Sequence, residues 1–323
     1  MRWGPEFARL APQHYRLVVE WKNAVAADGT FDPTAAQGGC LRDIPPCGGW
    51  SGIRAQMEAI AAAQAANPGR YELMVVPMYT PVPFASPPSG CEKDGTEPFS
   101  RPPADLEAYR AMIRAVRAEA DRAGVTIAQW SPWNEPNHPY FISPQRTACD
   151  PSAPSAAVGA YVGLARAMQE ELQPGEQLVL GELAPTTREG PQSTRMTEFM
   201  DGLPDDLVCA ADVVSVHKYR PEDPVDALSE AIRRHGCDKS IWITETGSKA
   251  HDCVSERDDL VRWYSDPRVQ AAFHYTFRED DLFPTGLVTT DLTAPLPSLA
   301  EWQAWGARPD PTDSPPPSTC ATS

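Results

Sequence analysis

Gln177–Leu183 reads QLVLGEL, Val213–Tyr219 reads VVSVHKY and Ile241–Thr246 reads IWITET, with amphipathic stretches at 192–202 and 225–235 between them. Each run is short, rich in β-branched residues and apolar almost throughout, as expected of strands buried on both faces. Working outward, the same pattern recurs at Tyr15–Trp21 (YRLVVEW), Tyr71–Tyr79 (YELMVVPMY), Val125–Trp133 (VTIAQWSPW) and Val269–Phe277 (VQAAFHYTF). Stretches rich in Ala, Arg and Glu at 51–66, 104–123, 155–172, 255–265 and 297–305 fill the remaining gaps. Strands alternating with helices imply parallel strands covered by helices, and seven such units in series favour a (β/α)8 barrel over an open doubly wound sheet. No Gly-rich fingerprint follows any run, so neither a dinucleotide nor a P-loop site is expected. Residues 4–14 resemble the end of a helix, which places the missing first strand upstream of Met1. The expectation is an N-terminally truncated chain whose barrel is open beside Tyr15–Trp21, and a closed eight-stranded barrel within residues 1–323 would refute it.

The domain expectation is a catalytic barrel over residues 1–306 and a disordered Pro/Ser/Thr-rich tail over 307–323. The 323 residues are 41% hydrophobic with a net charge of −16. That is ample for a large core, and the acidic surface argues against nucleic acid and anionic membrane as partners. No run approaches the roughly 18 apolar residues of a membrane span. The eight cysteines are even in number and contain no CxxC pair. Such a set, scattered through loops, suits an oxidising compartment, so secretion is expected. Met1-Arg2-Trp3-Gly4-Pro5 lacks the charged and apolar regions of a signal peptide.

In such barrels the chemistry lies where the strands end. The third run ends in Trp133-Asn134-Glu135-Pro136-Asn137 and the sixth in Glu245-Thr246-Gly247. Two carboxylates from separate strand ends meet the requirement of glycoside hydrolysis, one protonating the departing oxygen and the other attacking the anomeric carbon. Asn is scarce, four residues in all, yet two of them lie in this one motif. A charged Glu245 closing a buried strand is costly without a task. The alternatives are a surface carboxylate in a Pro-rich turn for Glu135 and structural roles for His217 and Arg16. His138, His251 and His274 share no ligand spacing with a carboxylate, so no metal is expected. No cofactor is expected either.

On these motifs the chain resembles glycoside hydrolase clan A, the superfamily of cellulase-like and xylosidase-like (β/α)8 retaining glycosidases. Counting a lost first strand, Asn134-Glu135-Pro136 falls on strand four, where the resemblance makes Glu135 the acid/base, and Glu245 falls on strand seven as nucleophile. It further implies that Arg16 supports the nucleophile and that Asn134 contacts the sugar 2-hydroxyl. Tyr219 would hydrogen-bond the nucleophile, with His217 beside it. Two positions depart from the clan: Tyr79 stands where many members carry His, and Phe277 where many carry a Trp platform. Tyr79, Trp133, Tyr275 and Phe277 are candidates for stacking on sugars, with core packing as their alternative. Glu182, in Gly181-Glu182-Leu183, is a pocket residue without a role. Glu135 needs a raised pKa to act as an acid, and Glu245 must stay ionised.

Barrel geometry then suggests disulfides 40–47, 91–149 and 209–237, leaving Cys253 and Cys320 to pair or stay free. The expected activity is hydrolysis of a plant or microbial polysaccharide or glycoside by a monomer with a carbohydrate partner only. A carbohydrate-binding barrel that has lost turnover and a metal-dependent barrel isomerase are the alternatives.

Overall fold

The computed structural model describes residues 4–26, 28–37, 52–96, 98–187, 190, 192–279, 283–306 and 314–320. Seven strands form one parallel sheet in sequence order: β1 (His14–Glu20), β2 (Glu72–Met78), β3 (Ile127–Trp130), β4 (Gln177–Leu183), β5 (Val213–Lys218), β6 (Ser240–Thr246) and β7 (Val269–His274). Nine helices are described: α1 (Gly4–Leu10), α2 (Ile53–Ala66), α3 (Leu106–Ala123), α4 (Ala156–Glu171), α5 (Met196–Asp201), α6 (Asp205–Ala210), α7 (Val225–Arg234), α8 (Cys253–Ser265) and α9 (Leu299–Gly306). The sheet curls into a half-barrel, a (β/α)8 barrel lacking one strand, and among the described residues β1 and β7 are its two unpaired edges.

Alternation along the strands sorts the core into two layers. On β2, Leu73 and Val75 join the large cluster between sheet and helices, while Met74 and Val76 point inward. The inward set also holds Val179, Val213, Trp242 and Phe273, one or two residues from each of several strands, which plug the barrel. His14 of β1 packs 4.9 Å from Trp242 and 5.6 Å from Phe273, so side chains bridge the interior beneath the open edge.

The helices stop and start on local signals. Asp105 caps α3 by accepting from the Glu107 amide, and Gly124 ends it at φ 73°. Asp252 caps α8 through two amides. The six-residue α6 was not expected, because DDLVCA is too short to show a helical period.

Disulfides join Cys91–Cys149, Cys209–Cys237 and Cys253–Cys320, with Cα separations of 5.0, 5.8 and 5.6 Å. Cys40 and Cys47 lie outside the described residues. In the C-terminal segment the Thr319 amide donates to Glu301 at 2.9 Å and Cys320 is bonded to α8, so its described part is tied to the barrel. Among the described residues no helix is long and apolar enough to cross a membrane.

Candidate active site

Two register shifts shape the C-terminal face of the sheet. Between β4 and β5, Leu180 pairs with Val214 and Leu183 with Val216, so β4 carries one residue more than its partner. This bulge puts Leu183 back on the helix side and turns Glu182 into the barrel. It is built on Gly181 (φ 116°), where a Cβ would lie 2.4 Å from the Ser215 carbonyl oxygen, and on Glu182 itself at φ 54°. Between β5 and β6, Val216 pairs with Ile243 and His217 with Glu245, and the extra residue on β6 aims Glu245 inward. Glu135 (φ 36°) and Tyr79 (φ 61°) also hold left-handed backbone, so sparsely populated conformations gather at these strand ends.

The inward side chains form one charged cluster. Arg16 of β1 donates from Nε to Glu182 at 2.9 Å, from Nη2 to Asn134 Oδ1 at 2.7 Å, and pairs through Nη1 with Glu245 at 2.8 Å. His217 places Nδ1 at 2.9 Å from Glu135 Oε1 and 3.3 Å from Glu245 Oε2, and Nε2 at 3.3 Å from Glu182. The Tyr219 hydroxyl donates to Glu245 Oε2 at 2.6 Å. Two contacts to one nitrogen, 2.9 and 3.3 Å, cap the separation of those Glu135 and Glu245 oxygens at 6.2 Å. The Glu135 amide donates to the Glu182 carbonyl at 2.9 Å, which fixes the loop that carries it.

Electrostatics follow from this crowding. Burial would deprotonate His217, but Glu245, Glu135 and Glu182 outweigh it and lift its pKa to about 10. Burial alone would raise Glu182; Arg16 and His217 instead bring it down to about 2. Burial likewise pushes Glu135 up, and the His217 hydrogen bond and charge more than reverse it, so its pKa lies below the ordinary value. The sequence reading expects a raised Glu135; the neighbouring charges lower it, and the imidazole holds the proton instead. Burial and Glu245 hold the Tyr219 phenol well above its usual pKa, which keeps it a donor.

A pH test of this cluster follows. Glu182, depressed from 4.5 to about 2, stabilises the fold above pH 4.5 and loses that contribution as pH falls toward 2. His217, raised from 6.5 to about 10, stabilises it below pH 6.5 and loses that contribution as pH rises through 10. The Tm difference between wild type and His217→Gln should therefore be largest near pH 5–6 and shrink toward pH 10. A difference that stays flat across pH 6–10 would show that the imidazole carries no such charge.

Not every candidate reaches this cluster. Tyr79 does: Glu135 and Glu245 both act on its phenol, and its ring stacks 5.5 Å from Phe141. Tyr275 also does, being half-buried, electrostatically coupled to Tyr219 and 5.7 Å from Phe283. Trp133 does not; it is fully buried against Tyr109, its indole N–H donating to the Phe141 carbonyl at 2.8 Å. Phe277 is half-buried and packs 5.2 Å from Phe7 in a T-shaped contact, against the small cluster that includes Leu287 and Leu299. Asn134 spends its carbonyl oxygen on Arg16. Glu182, given no role by the sequence reading, lies at the centre; Gly181 before it was the one local signal of a bulge. Ligand-type atoms of Glu182, His217 and Glu245 lie within 4.8 Å of one another, but the protonated imidazole has no lone pair to offer a metal. The Arg16 guanidinium pairs with both of these carboxylates.

Residues 127–267 match the family described as glycosyl hydrolase catalytic core. No curated protein sequence matches the chain. Among solved structures, a glycoside hydrolase family 30 subfamily 8 xylanase from Clostridium acetobutylicum aligns at TM-score 0.58 and 13% identity, over 94% of this chain and 67% of its own. The Ignisphaera aggregans family 53 catalytic domain aligns at 0.57 and 15%, over 91% and 86%. A family 51 α-L-arabinofuranosidase from Bifidobacterium longum aligns at 0.59 and 13%, over 94% and 65%. At these identities the structural likeness is one of fold. The matched segment spans Glu135, Glu182, His217 and Glu245, and the neighbours from families 30, 53 and 51 share the barrel fold.

Proposed function

We propose that this chain is a retaining glycoside hydrolase, cleaving O-glycosidic bonds of a polysaccharide or glycoside by double displacement with Glu245 as nucleophile and Glu135 as acid/base. The observation that carries the reading is the 6.2 Å ceiling on the separation of their facing oxygens. Inversion needs room for a water, about 6.5–9.5 Å between carboxyl groups, whereas retention uses about 5–5.5 Å.

The mechanism accounts for an ionised Glu135. Glu245, held by Arg16 and Tyr219, attacks the anomeric carbon while the bond to the leaving oxygen breaks. Glu135 gives that oxygen a proton and takes one from His217 Nδ1 along their 2.9 Å hydrogen bond. The imidazole thus ends neutral as Glu245 becomes an ester, and the charge of the cluster is unchanged. In the second half water attacks the ester, its proton passes to Glu135 and back to His217, and Glu245 is released. Glu182 keeps the imidazole oriented between the two carboxyls. Tyr79 and Tyr275 line the sugar site. Three disulfides fit an extracellular enzyme.

Proton NMR of the first-formed product tests this. The product anomer should match that of the substrate, and net inversion would end the double-displacement mechanism.

A further inference from the structure

We infer that this site takes an anionic glycan, one that carries uronate carboxylates or sulfate esters beside the bond to be cleaved. This rests on the glycosidase reading above and starts from how the chain spends its cations. Lys and Arg number 28 against 44 Asp and Glu, and many described arginines, such as Arg54, Arg117 and Arg268, are tied to a carboxylate. Among the described residues, Arg9, Lys22, Lys93, Arg220, Lys239 and Lys249 have no ion-pair or hydrogen-bonding partner at the side-chain charge. Arg9 and Lys239 precede β1 and β6. The other four follow the C-terminal ends of β1, β2, β5 and β6, on the face that holds the carboxylates. Lys22 sits between the rings of Tyr79 and Phe99 and is drawn to Glu20, so the inference uses the remaining three.

These three flank the site on both sides. Lys93 Nζ lies 5.1 Å from the Tyr140 ring, which stacks 5.3 Å from His138. Lys93 and Arg220 both act on His138, which in turn acts on Glu135. On the nucleophile side, Lys249 Nζ lies 3.9 Å over Phe283 and 5.9 Å from the Tyr219 ring, whose hydroxyl bonds Glu245. Three described carboxylates nearby are otherwise engaged: Glu92 accepts from the Ser89 and Gly90 amides at 2.6 and 2.8 Å, Asp223 pairs with Arg262, and Glu279 with His251. Asp94 and Glu222, adjacent in sequence, form no ion pair with the three cations among the described residues. The Lys93 loop is preset, because Cys91 is bonded to Cys149 and the Lys93 amide donates to Ser143 Oγ at 2.8 Å.

A chain of charge −16 repels a polyanion at long range. Beyond about 8 Å at physiological salt that repulsion is screened, and the nearest charges decide. Exposed charge pairs are worth up to about fivefold each, so three cations supply on the order of a tenfold preference. A neutral sugar gains nothing from them.

Binding to the Glu135→Gln chain, in which turnover is slowed about 10²–10⁴-fold, tests the inference. The probes are glucuronoxylan and polygalacturonate, each beside its carboxyl-reduced form, and carrageenan beside its desulfated form. We expect the anionic member of a pair to bind at least about tenfold tighter. The preference should fall between 50 and 500 mM NaCl and vanish when Lys93→Gln, Arg220→Gln and Lys249→Gln are combined, with Tm unchanged as a fold check. A carboxylate or sulfate preference identifies which anion is read. Equal or tighter binding of the neutral member in every pair, or a preference that survives the triple substitution, overturns the inference. Wild-type hydrolysis of the same pairs keeps the two readings apart: anion-selective binding without cleavage removes the hydrolase reading alone, and cleavage with no anion preference removes this one alone.

Discussion

Glu245→Gln should lower glycoside cleavage by on the order of 10⁵-fold, about 7 kcal/mol of barrier, while sugar binding persists. The amide keeps the shape of the carboxylate and can still accept from Tyr219, but it has no charge with which to attack the anomeric carbon. Arg16 loses one of three partners and keeps Glu182 and Asn134, so the fold should survive. kcat on aryl glycosides, with calorimetric binding of an unreactive oligosaccharide alongside, checks this. Activity above about 1% of wild type in the pure variant would remove Glu245 from the reaction. A carbohydrate-binding barrel without turnover would show binding in both proteins and cleavage in neither.

Glu135→Gln should cost about 10²–10⁴-fold, and the loss should depend on the leaving group. Natural glycosides depart as poorly stabilised alkoxides and need the proton that travels from His217 through Glu135. A dinitrophenolate leaves without one, so its glycosylation step should be nearly untouched. The measurement is the ratio of variant to wild-type rates across a series of aryl glycosides, which should rise toward one as the phenol becomes more acidic. A ratio independent of the phenol would show that Glu135 does not donate to the departing oxygen. His217→Gln should show the same trend with a shallower slope, because it removes the proton's source while leaving the carboxyl in place.

These effects converge on residues that the sequence made visible to different degrees. Glu135 and Glu245 stand out because each closes a buried apolar run with a charge, and burial without a partner is expensive. Glu182 ends such a run too, yet strict alternation groups it with Leu178 and Leu180, which face the helices. Only the bulge at Gly181 turns it inward, and that bulge exists because β4 and β5 pair out of step. Trp133 and Phe277 mislead for the opposite reason. Position near a strand end says nothing about neighbours: Trp133 is buried against Tyr109, and the Phe277 ring meets Phe7 in a T-shaped contact. The protonation of the cluster was hidden as well, since it depends on carboxylates from β4, β6 and the loop after β3 meeting one imidazole.

By itself the chain determined its strands, its parallel order and the two acidic positions most costly to bury, because hydrophobic period and charge placement are local properties. Tertiary structure alone decided which way Glu182 points, that the proton rests on His217, and that one oxygen of Glu135 and one of Glu245 come within 6.2 Å. Each of these depends on register between neighbouring strands, and a single extra residue in one strand reverses the face of the side chains that follow it.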